Sequence, residues 1–392
     1  MDLHKEILQR CQAQYEDIVA IRRDIHRHPE IGFEVQRTAG IAAAELEKLG
    51  ITVRTGVGKT GVVGDLNVPG ATRRIALRAD MDALPMQEQS NPPYKSIFDG
   101  KAHMCGHDAH TAMLIGAARV LNEMKDRLKA NVRFIFQPNE ENLPGGAPAM
   151  IEDGVLEGVD EIFGLHVWPL VDTGKFSICE GPALGQPDTF YITILGKGGH
   201  AAVPQITVDP IVIGAQFIAN LQSIVARNVD PLDSAVVSVT QFHAGTTHNV
   251  IPQSAEIVGT VRTFRKDTQR MIRNQLKNML AAVTSMHQAE YRFEYDGGYP
   301  VTFNHAQSVQ KALQATRTLA GEAHVIYPET PVLGGEDFAF YAEKIPGCFV
   351  FLGIRNPAKD IVYMCHDPRF DIDEPAMVQG MALHAMLAMN YE

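Results

Sequence analysis

The segment HMCGHDAHTAM, at residues 103–113, combines metal-binding side chains with a turn that leads into a helical pattern. Cys105 and His107 stand two residues apart, so a thiolate and an imidazole can face one pocket. Asp108 is suited to cap the helix or to orient His107. The pair predicts two metal ligands. A buried cysteine beside a capping histidine and aspartate fits equally well, because a lone Cys-x-His pair is a weak signal.

Two adjacent carboxylates, Glu140 and Glu141, follow the apolar segment FIFQ and a turn that contains proline. Like charges side by side repel each other, and partial burial disfavours their ionisation. A divalent cation bound by one carboxylate would relieve this repulsion and leave the other to act as a general base. A solvated acidic turn is the common alternative.

Three histidines occupy similar positions elsewhere in the chain. His166 lies in GLHVWP, at the end of an apolar segment, and the carboxyl edge of a parallel sheet is where ligands gather. His366 follows Cys365 in YMCHDPRF. His200 follows two glycines, which permit close backbone approach to a ligand, and it could donate to a developing oxyanion. Each of them could equally be a packed or surface histidine.

The candidate donors form one chemically coherent set of a thiol, imidazoles and a carboxylate. Such a set has too many soft and nitrogen donors for Mg²⁺ or Ca²⁺. It suits Zn²⁺, Mn²⁺, Co²⁺ or Ni²⁺.

Length and composition are those of a globular protein large enough for two domains, with 392 residues, 45% of them hydrophobic and 21% charged. The net charge is −11, and scattered Lys and Arg residues form no basic stripe for nucleic acid. The five cysteines contain no Cys-x-x-Cys pair, which favours reduced thiols and a cytoplasmic location. No apolar run of about 18 residues predicts a membrane span.

Strand-like and helix-like segments alternate in the first half of the chain and again near its end. This pattern predicts an α/β fold with a mostly parallel sheet. Residues 186–298 instead read as βαββαβ, the ferredoxin-like pattern. We therefore predict a catalytic domain from residues 1–185 and 299–392, with residues 186–298 as an inserted domain. Residues 1–50 predict two helices, the second at about 36–49.

Motifs spread over nearly the whole chain share the pattern of one enzyme family. They are RRDIHRHPEIGFE (22–34), ALRADMDALPMQE (76–88), HMCGHDAHTAM (103–113), FQPNEE (136–141), GLHVWP (164–169), GKGGHAA (196–202), HNVIP (248–252), GGEDFAFY (334–341) and HDPRFDIDE (366–374). The sequence resembles the metallo-amidohydrolases of the hippurate hydrolase, N-acyl-amino-acid amidohydrolase and indole-acetyl-amino-acid hydrolase group. These enzymes are relatives of aminoacylases and di-zinc carboxypeptidases.

The resemblance implies two divalent metal ions per subunit, Mn or Zn, with Co or Ni as alternatives. It implies that the ligands are Cys105, His107, Glu141, His166 and His366. It also implies that Glu140 is the general base and that the inserted domain is a lid and dimerisation unit, giving a homodimer or a dimer-based tetramer.

Three residues of the inserted domain are predicted to act on the substrate. The resemblance implies that His200, the candidate oxyanion donor, can reach the site of a neighbouring subunit and that Asn249 lies near the substrate. Arg262, in the same segment as Asn249, is a further substrate-binding candidate.

Three positions depart from the family pattern without removing a predicted ligand. Asn139 stands where Ala is usual, Gln205 where a His is expected, and Cys365 where a second His is usual. These differences bear on the side chain of the substrate.

The predicted function is metal-dependent hydrolysis of N-acyl amino acids, either hippurate-like or acetylated, to a carboxylic acid and a free amino acid. A dipeptidase or an N-acetyl-diaminopimelate deacetylase would use the same two-metal chemistry. Alternatives of another class are a thiol hydrolase, with Cys105 as nucleophile and His107 as base, and a non-catalytic binding protein on the same fold. The expected partner is a small molecule, and neither nucleic acid nor a membrane is expected.

Overall fold

The computed structural model of this protein describes residues 2–391. Its α-helices are α1 (Leu3–Ala13), α2 (Tyr15–Arg27), α3 (Gln36–Lys48), α4 (His107–Glu123), α5 (Ala147–Glu152), α6 (Pro210–Asn228), α7 (Lys266–Met286), α8 (Ala306–Ala320), α9 (Phe338–Ala342) and α10 (Ala376–Met389). Among the described residues, no helix is both long enough and apolar enough to cross a membrane.

The strands range from two to twelve residues and are distributed from Thr52 to Arg355. They are β1 (Thr52–Val57), β2 (Gly61–Leu66), β3 (Arg74–Asp80), β4 (Asn131–Gln137), β5 (Glu161–Asp172), β6 (Phe176–Ser177), β7 (Gly181–Leu184), β8 (Gln186–Leu195), β9 (Gly199–His200), β10 (Ala235–Ala244), β11 (Val250–Ile251), β12 (Ser254–Thr263), β13 (Glu290–Asp296), β14 (Thr302–Asn304), β15 (Val325–Ile326) and β16 (Gly347–Arg355).

The chain forms two compact units. The first comprises the chain up to Ala183, Thr302–Pro331 and the chain from Asp337 onward, and the second comprises Leu184–Val301 and Val332–Glu336. The insert proposed from the sequence, residues 186–298, lies inside the second unit. Its roles in closure and dimerisation stay predictions.

The first unit is built on an eight-stranded sheet with the order β1-β2-β4-β3-β5-β16-β6-β15. The central strands β4, β3, β5 and β16 are mutually parallel, whereas β1, β2 and the contact between β16 and β6 contribute antiparallel pairs. The predicted α/β fold with a mostly parallel sheet is therefore confirmed.

Helix α4 crosses the centre of this unit and packs closely against α10. A Cβ atom at Gly116 would lie 2.2 Å from the sulfur of Met381, and one at Gly380 would lie 2.2 Å from the sulfur of Met113. Each glycine thus leaves room for a methionine side chain of the opposite helix to pack against its backbone. Because both helices are buried on nearly all faces, this contact fixes the position of His107, the first residue of α4.

The first 50 residues contain three helices where the sequence predicted two. The chain turns at Gln14, between α1 and α2, and each of these helices buries its own apolar residues, such as Ile7 in α1 and Ile18 in α2. A continuous helical pattern conceals such a turn because both helices keep the same periodicity. The predicted helix at 36–49 is α3, which ends just before Gly50, a residue with a positive φ of 70°.

The second unit has the element order βαββαβ, formed by β8, α6, β10, β12, α7 and β13. Its four-stranded sheet has the order β10-β12-β8-β13, and all neighbours are antiparallel. Side chains from alternate strand positions, such as Phe190 and Ile257, form its core with Phe217 of α6 and Leu276 of α7. This is the ferredoxin-like topology.

Candidate metal centre

Two acidic segments meet at one edge of the central sheet because their strands are parallel neighbours. Strand β3 ends at Asp80 and is followed by Asp82, while β4 ends at Gln137 and is followed by Glu140 and Glu141. The carboxylate of Asp82 joins the two segments: its oxygens accept the backbone N–H of Glu140 at 2.9 Å and that of Glu141 at 3.1 Å. This contact fixes the backbone beneath both glutamates.

The turn before α4 requires a glycine. Gly106 has a φ of 97°, and a Cβ atom there would lie 2.3 Å from a methyl group of Val167 in β5. An L-residue would be strained in this conformation and would collide with the strand. The close approach places Cys105 and His107, on either side of Gly106, directly against β5.

One ring nitrogen of His107 is buried and has no hydrogen-bond partner among the described residues. Its Nδ1 donates to the carbonyl oxygen of Asp82 at 2.9 Å, so in the neutral ring, the form that binds a metal, the lone pair is on Nε2. Nε2 is buried and lies 3.8 Å from Oε1 of Glu141, and neither atom has a hydrogen-bond partner within the described part of the chain. Buried polar atoms without partners are costly, and a cation between these two would satisfy both.

His166 and His366 complete the arrangement from other parts of the fold. Nδ1 of His166 donates to the carbonyl oxygen of Val167 at 2.7 Å, and its Nε2 lies 3.4 Å from Sγ of Cys105. His166 lies in the middle of β5, because the pairing of this strand with β16 continues to Asp172. The prediction that His166 ends its strand was therefore wrong. Nε2 of His366 lies 3.2 Å from Oε2 of Glu141.

The predicted ligands fall into two groups that share one residue. The donor atoms of Cys105, His107 and His166 lie within 4.8 Å of one another, and so do those of Cys105, Glu141 and His366. Glu140 lies within the same distance of His107 and Glu141. The fold thus brings together six side chains that the sequence singled out, from segments up to 261 residues apart.

The family can now be assigned. The sequence model of peptidase family M20/M25/M40 matches residues 76–390 of this chain. The chain belongs to this family. It is 41% identical over 374 residues to N-acetylcysteine deacetylase of Bacillus subtilis, covering 95% of this chain and 96% of the relative. It is 38% identical over 397 residues to thermostable carboxypeptidase 2 of Saccharolobus solfataricus, covering 100% and 99%.

A solved structure supports the same assignment. The Bacillus subtilis YxeP protein, described as a dinuclear metal-binding peptidase of the M20 family, matches with a TM-score of 0.84 at 37% identity, covering 96% of this chain and 98% of that one. The predicted family and the predicted class of enzyme, a metal-dependent amide hydrolase, are confirmed.

In this M20 hydrolase, the carboxylates of Asp80, Asp82 and Glu141 surround the imidazole of His107. Burial lowers the pKa of His107, but the charges of Asp80 and Asp82 and that of Glu141 outweigh it and raise this pKa well above its ordinary value. For Glu141, burial raises the pKa, but the hydrogen bond from His366 and the charge of His107 outweigh burial and lower this pKa overall. A cluster that holds so many carboxylates around one imidazole attracts cations.

Asp80 and His110 form a further group of potential ligands with His107. Neither was predicted from the sequence to bind metal. Their atoms are already engaged. Nδ1 of His110 contacts Asp80 at 2.6 Å and its Nε2 accepts the N–H of Val167 at 2.9 Å, while the second oxygen of Asp80 accepts from Arg78. We therefore assign them a supporting role. The acidic pair of RADMD, just after an apolar segment, was the signal that could have revealed Asp80 and Asp82.

The remaining predicted residues lie in the second unit. Strands β9 and β11 pair His200 with Val250, and the N–H of Ala201 donates to the carbonyl oxygen of Asn249 at 3.0 Å. His200 and Asn249 are therefore neighbours, and both are exposed. Arg262 lies on β12 and is partly buried, which lowers its pKa. The roles of these three residues towards the substrate stay predictions.

Proposed function

We propose that this M20 hydrolase cleaves the amide bond of N-acyl amino acids and that it holds two divalent metal ions per subunit, Mn or Zn. The ligands in this proposal are Cys105, His107, Glu141, His166 and His366. The observation that carries it is the pair of three-donor groups that share Cys105, with the unpartnered Nε2 of His107 facing Glu141. The name of the deacetylase relative supports the substrate class.

The donor atoms fit such ions. Hydrogen bonds from Nδ1 of His107 and His166 to backbone carbonyls orient the Nε2 lone pairs of both rings towards the site, as is usual for histidines that bind metals. One thiol, three imidazoles and one carboxylate favour Zn²⁺ or Mn²⁺, with Co²⁺ or Ni²⁺ as alternatives, over Mg²⁺ or Ca²⁺.

Glu140 is the proposed general base. When bound, two divalent ions would polarise the scissile carbonyl and make hydroxide accessible near neutral pH. The Glu140 carboxylate takes a proton from the attacking water and passes it to the amine nitrogen as the C–N bond breaks. Its backbone is held by Asp82, and its Oε1 lies 3.4 Å from the N–H of Asp337, so the side chain is positioned before the substrate binds.

The finer assignments extend the same proposal. His200 donates a hydrogen bond to the developing oxyanion, and Asn249 and Arg262 bind the substrate. The protein acts in the cytoplasm, in agreement with its unpaired cysteines, and assembles through the inserted domain as a homodimer or a dimer-based tetramer. Its partner is the small-molecule substrate.

A second candidate is cleavage of dipeptides or of longer peptides from the carboxyl end. The similarity to thermostable carboxypeptidase 2 favours this possibility. A thiol hydrolase is less favoured, because a hydrogen bond with Cys365 and burial together raise the pKa of Cys105 well above its ordinary value. A hydrolase that depends on an ionised cysteine near neutral pH requires the opposite shift.

The experiment is a substrate panel on protein stripped with EDTA and then reconstituted with Mn²⁺ or Zn²⁺. The panel contains acetyl-, benzoyl- and indole-acetyl-amino acids together with dipeptides. We expect turnover of acyl amino acids that disappears with EDTA and returns with metal. Turnover of dipeptides alone would favour the second candidate, activity insensitive to EDTA would favour the thiol hydrolase, and inactivity on every substrate with every metal would contradict the proposal.

A further inference from the structure

Cys365 lies beside the shared metal ligand Cys105. The backbone N–H of His366 donates to the carbonyl oxygen of Met104 at 2.7 Å, which holds the two segments against each other. The two thiols are close enough to share a hydrogen bond. Both cysteines are unpaired in the structure.

The two thiols differ in access to solvent. Cys105 is 8% exposed, whereas Cys365 is partly exposed. The other cysteines are less accessible than Cys365, since Cys11 and Cys348 are fully buried and Cys179 is 6% exposed. Cys365 is therefore the thiol that a small oxidant reaches first, and Cys105 is positioned to react with it next.

We propose that Cys105 and Cys365 form a disulfide when the metal ions are absent and a peroxide is present. The Cys365 thiolate attacks the peroxide, takes one oxygen as a sulfenic acid and releases hydroxide. The Cys105 thiol loses its proton to a base as its sulfur attacks the Cys365 sulfur, and the S–O bond breaks to release hydroxide, which takes up that proton and becomes water. In total, two thiols lose two electrons and two protons, and one hydrogen peroxide becomes two molecules of water.

The disulfide would compete with metal binding, a consequence that rests on the proposed ligand set. Cys105 belongs to both donor groups, so its oxidation would remove a ligand from both metal ions at once. Conversely, a bound cation would withhold the Cys105 thiolate from the reaction.

The test is peptide mapping of chelated, folded protein treated with a slight excess of hydrogen peroxide. The remaining thiols are alkylated, and the protein is digested with trypsin without reduction. Cys105 and Cys365 then lie in separate peptides, residues 102–119 and 360–369. We expect these peptides joined, with a mass lower by two hydrogens than the sum of the reduced peptides, and separated again by dithiothreitol.

Two variants and one metal-loaded sample make the result specific. Cys365→Ser should abolish the cross-link and leave Cys105 open to alkylation, whereas Cys179→Ser should leave it unchanged. Preloading with Mn²⁺ or Zn²⁺ should slow the cross-link by roughly tenfold or more, through mass action.

The disulfide and its competition with metal binding can be disproved separately. Absence of the 102–119/360–369 cross-link, or a scrambled mixture of pairs as expected for an unfolded chain, would overturn the disulfide. An equal rate of cross-linking with and without metal would overturn the competition and remove Cys105 from the proposed ligand set.

Discussion

Glu140 and Glu141 are adjacent and chemically identical, yet the fold gives them different surroundings. Glu141 faces His366 and His107, with one oxygen left without a hydrogen-bond partner among the described residues. Glu140 instead contacts the N–H of Asp337. Because Asp82 binds the N–H of both residues, neither can rotate into the place of the other, and the two carboxylates can perform separate tasks.

The first prediction concerns this division of roles. Glu140→Gln should keep close to two metal ions per subunit while turnover falls roughly 10²–10⁴-fold, the contribution typical of a positioned acid–base group. Glu141→Gln should lose metal as well, because an amide is a poor ligand for these ions. Metal content by elemental analysis and initial rates measure the two effects.

Glu152→Gln provides the matched control, since this glutamate is exposed at the end of α5 and should retain both activity and metal. Near-normal turnover in Glu140→Gln would refute the assignment of the base.

At the scale of elements, one arginine joins three segments. Arg22 of α2 is fully buried, and its Nε donates to Asp108, in the first turn of α4, at 2.7 Å. Its other nitrogens reach Asp371 at 2.8 Å and Glu374 at 3.2 Å, in the segment that follows His366. Arg22 therefore ties the start of the helix that carries His107 to the chain that carries His366.

The second prediction is that Arg22→Met lowers the free energy of unfolding by about 3–5 kcal/mol, because the buried Asp108 would keep its contact with His26 but lose the permanent positive charge of Arg22. Arg23→Met is the matched control: the Arg23 side chain is 43% exposed, pairs with Glu374 and, like Arg22, lies over the Tyr94 ring, so the loss should be about 0–1 kcal/mol. Urea denaturation of metal-free protein measures both, and equal losses would argue against the role of Arg22.

The third prediction concerns the loss of stability at low pH. His384 of α10 is buried, neither ring nitrogen has a partner within residues 2–391, and burial lowers its pKa to about 3. A histidine with a folded-state pKa below its unfolded value of about 6.5 stabilises the fold above pH 6.5 and loses this contribution as the pH falls towards 3.

His384→Met should therefore flatten the dependence of stability on pH. Between pH 7 and pH 4, the wild-type protein should lose a few kcal/mol more than the variant, because a tenfold change in proton affinity corresponds to about 1.4 kcal/mol. Carboxylates with lowered pKa values, such as Asp108, titrate in both proteins and cancel in the difference. Parallel slopes in urea denaturation over this range would contradict the prediction.

At the scale of the whole molecule, the proposed chemistry is divided between the two units. The metal donors and Glu140 belong to the first unit, whereas His200 belongs to the second, which interrupts the chain between His166 and His366. A residue on a separate unit can serve a site either in its own chain or in a neighbouring subunit.

The fourth prediction is that His200 acts in trans. His200→Ala and Glu140→Gln, each inactive alone, should restore activity when mixed and allowed to exchange subunits. Half of the dimers would then be mixed, each with one site that combines intact Glu140 and His200, giving about a quarter of the wild-type rate. If native mass spectrometry verifies the exchange and activity stays at background, His200 acts within its own chain.

Local pattern was enough to predict the fold class and most of the elements, although it merged α1 with α2. Alternating apolar segments predicted the α/β unit and the βαββαβ insert, because hydrophobic periodicity is a property of neighbouring residues. The donor types in the CGH, NEE, GLH and CHD segments indicated a transition-metal site, because ligand preference is a property of the side chains themselves. The resemblance to a family then supplied roles for individual residues.

Only the tertiary structure decided which side chains meet. The order of β4, β3 and β5 places Asp82 beneath Glu140 and Glu141 and directs His110 towards Asp80, and contacts of this kind depend on strand order, which no local periodicity specifies. The same holds for Cys365, which lies 260 residues from Cys105 in sequence and yet beside it in space. Burial and hydrogen bonding arise from packing between distant segments, and they determine which nitrogen of His107 lacks a partner.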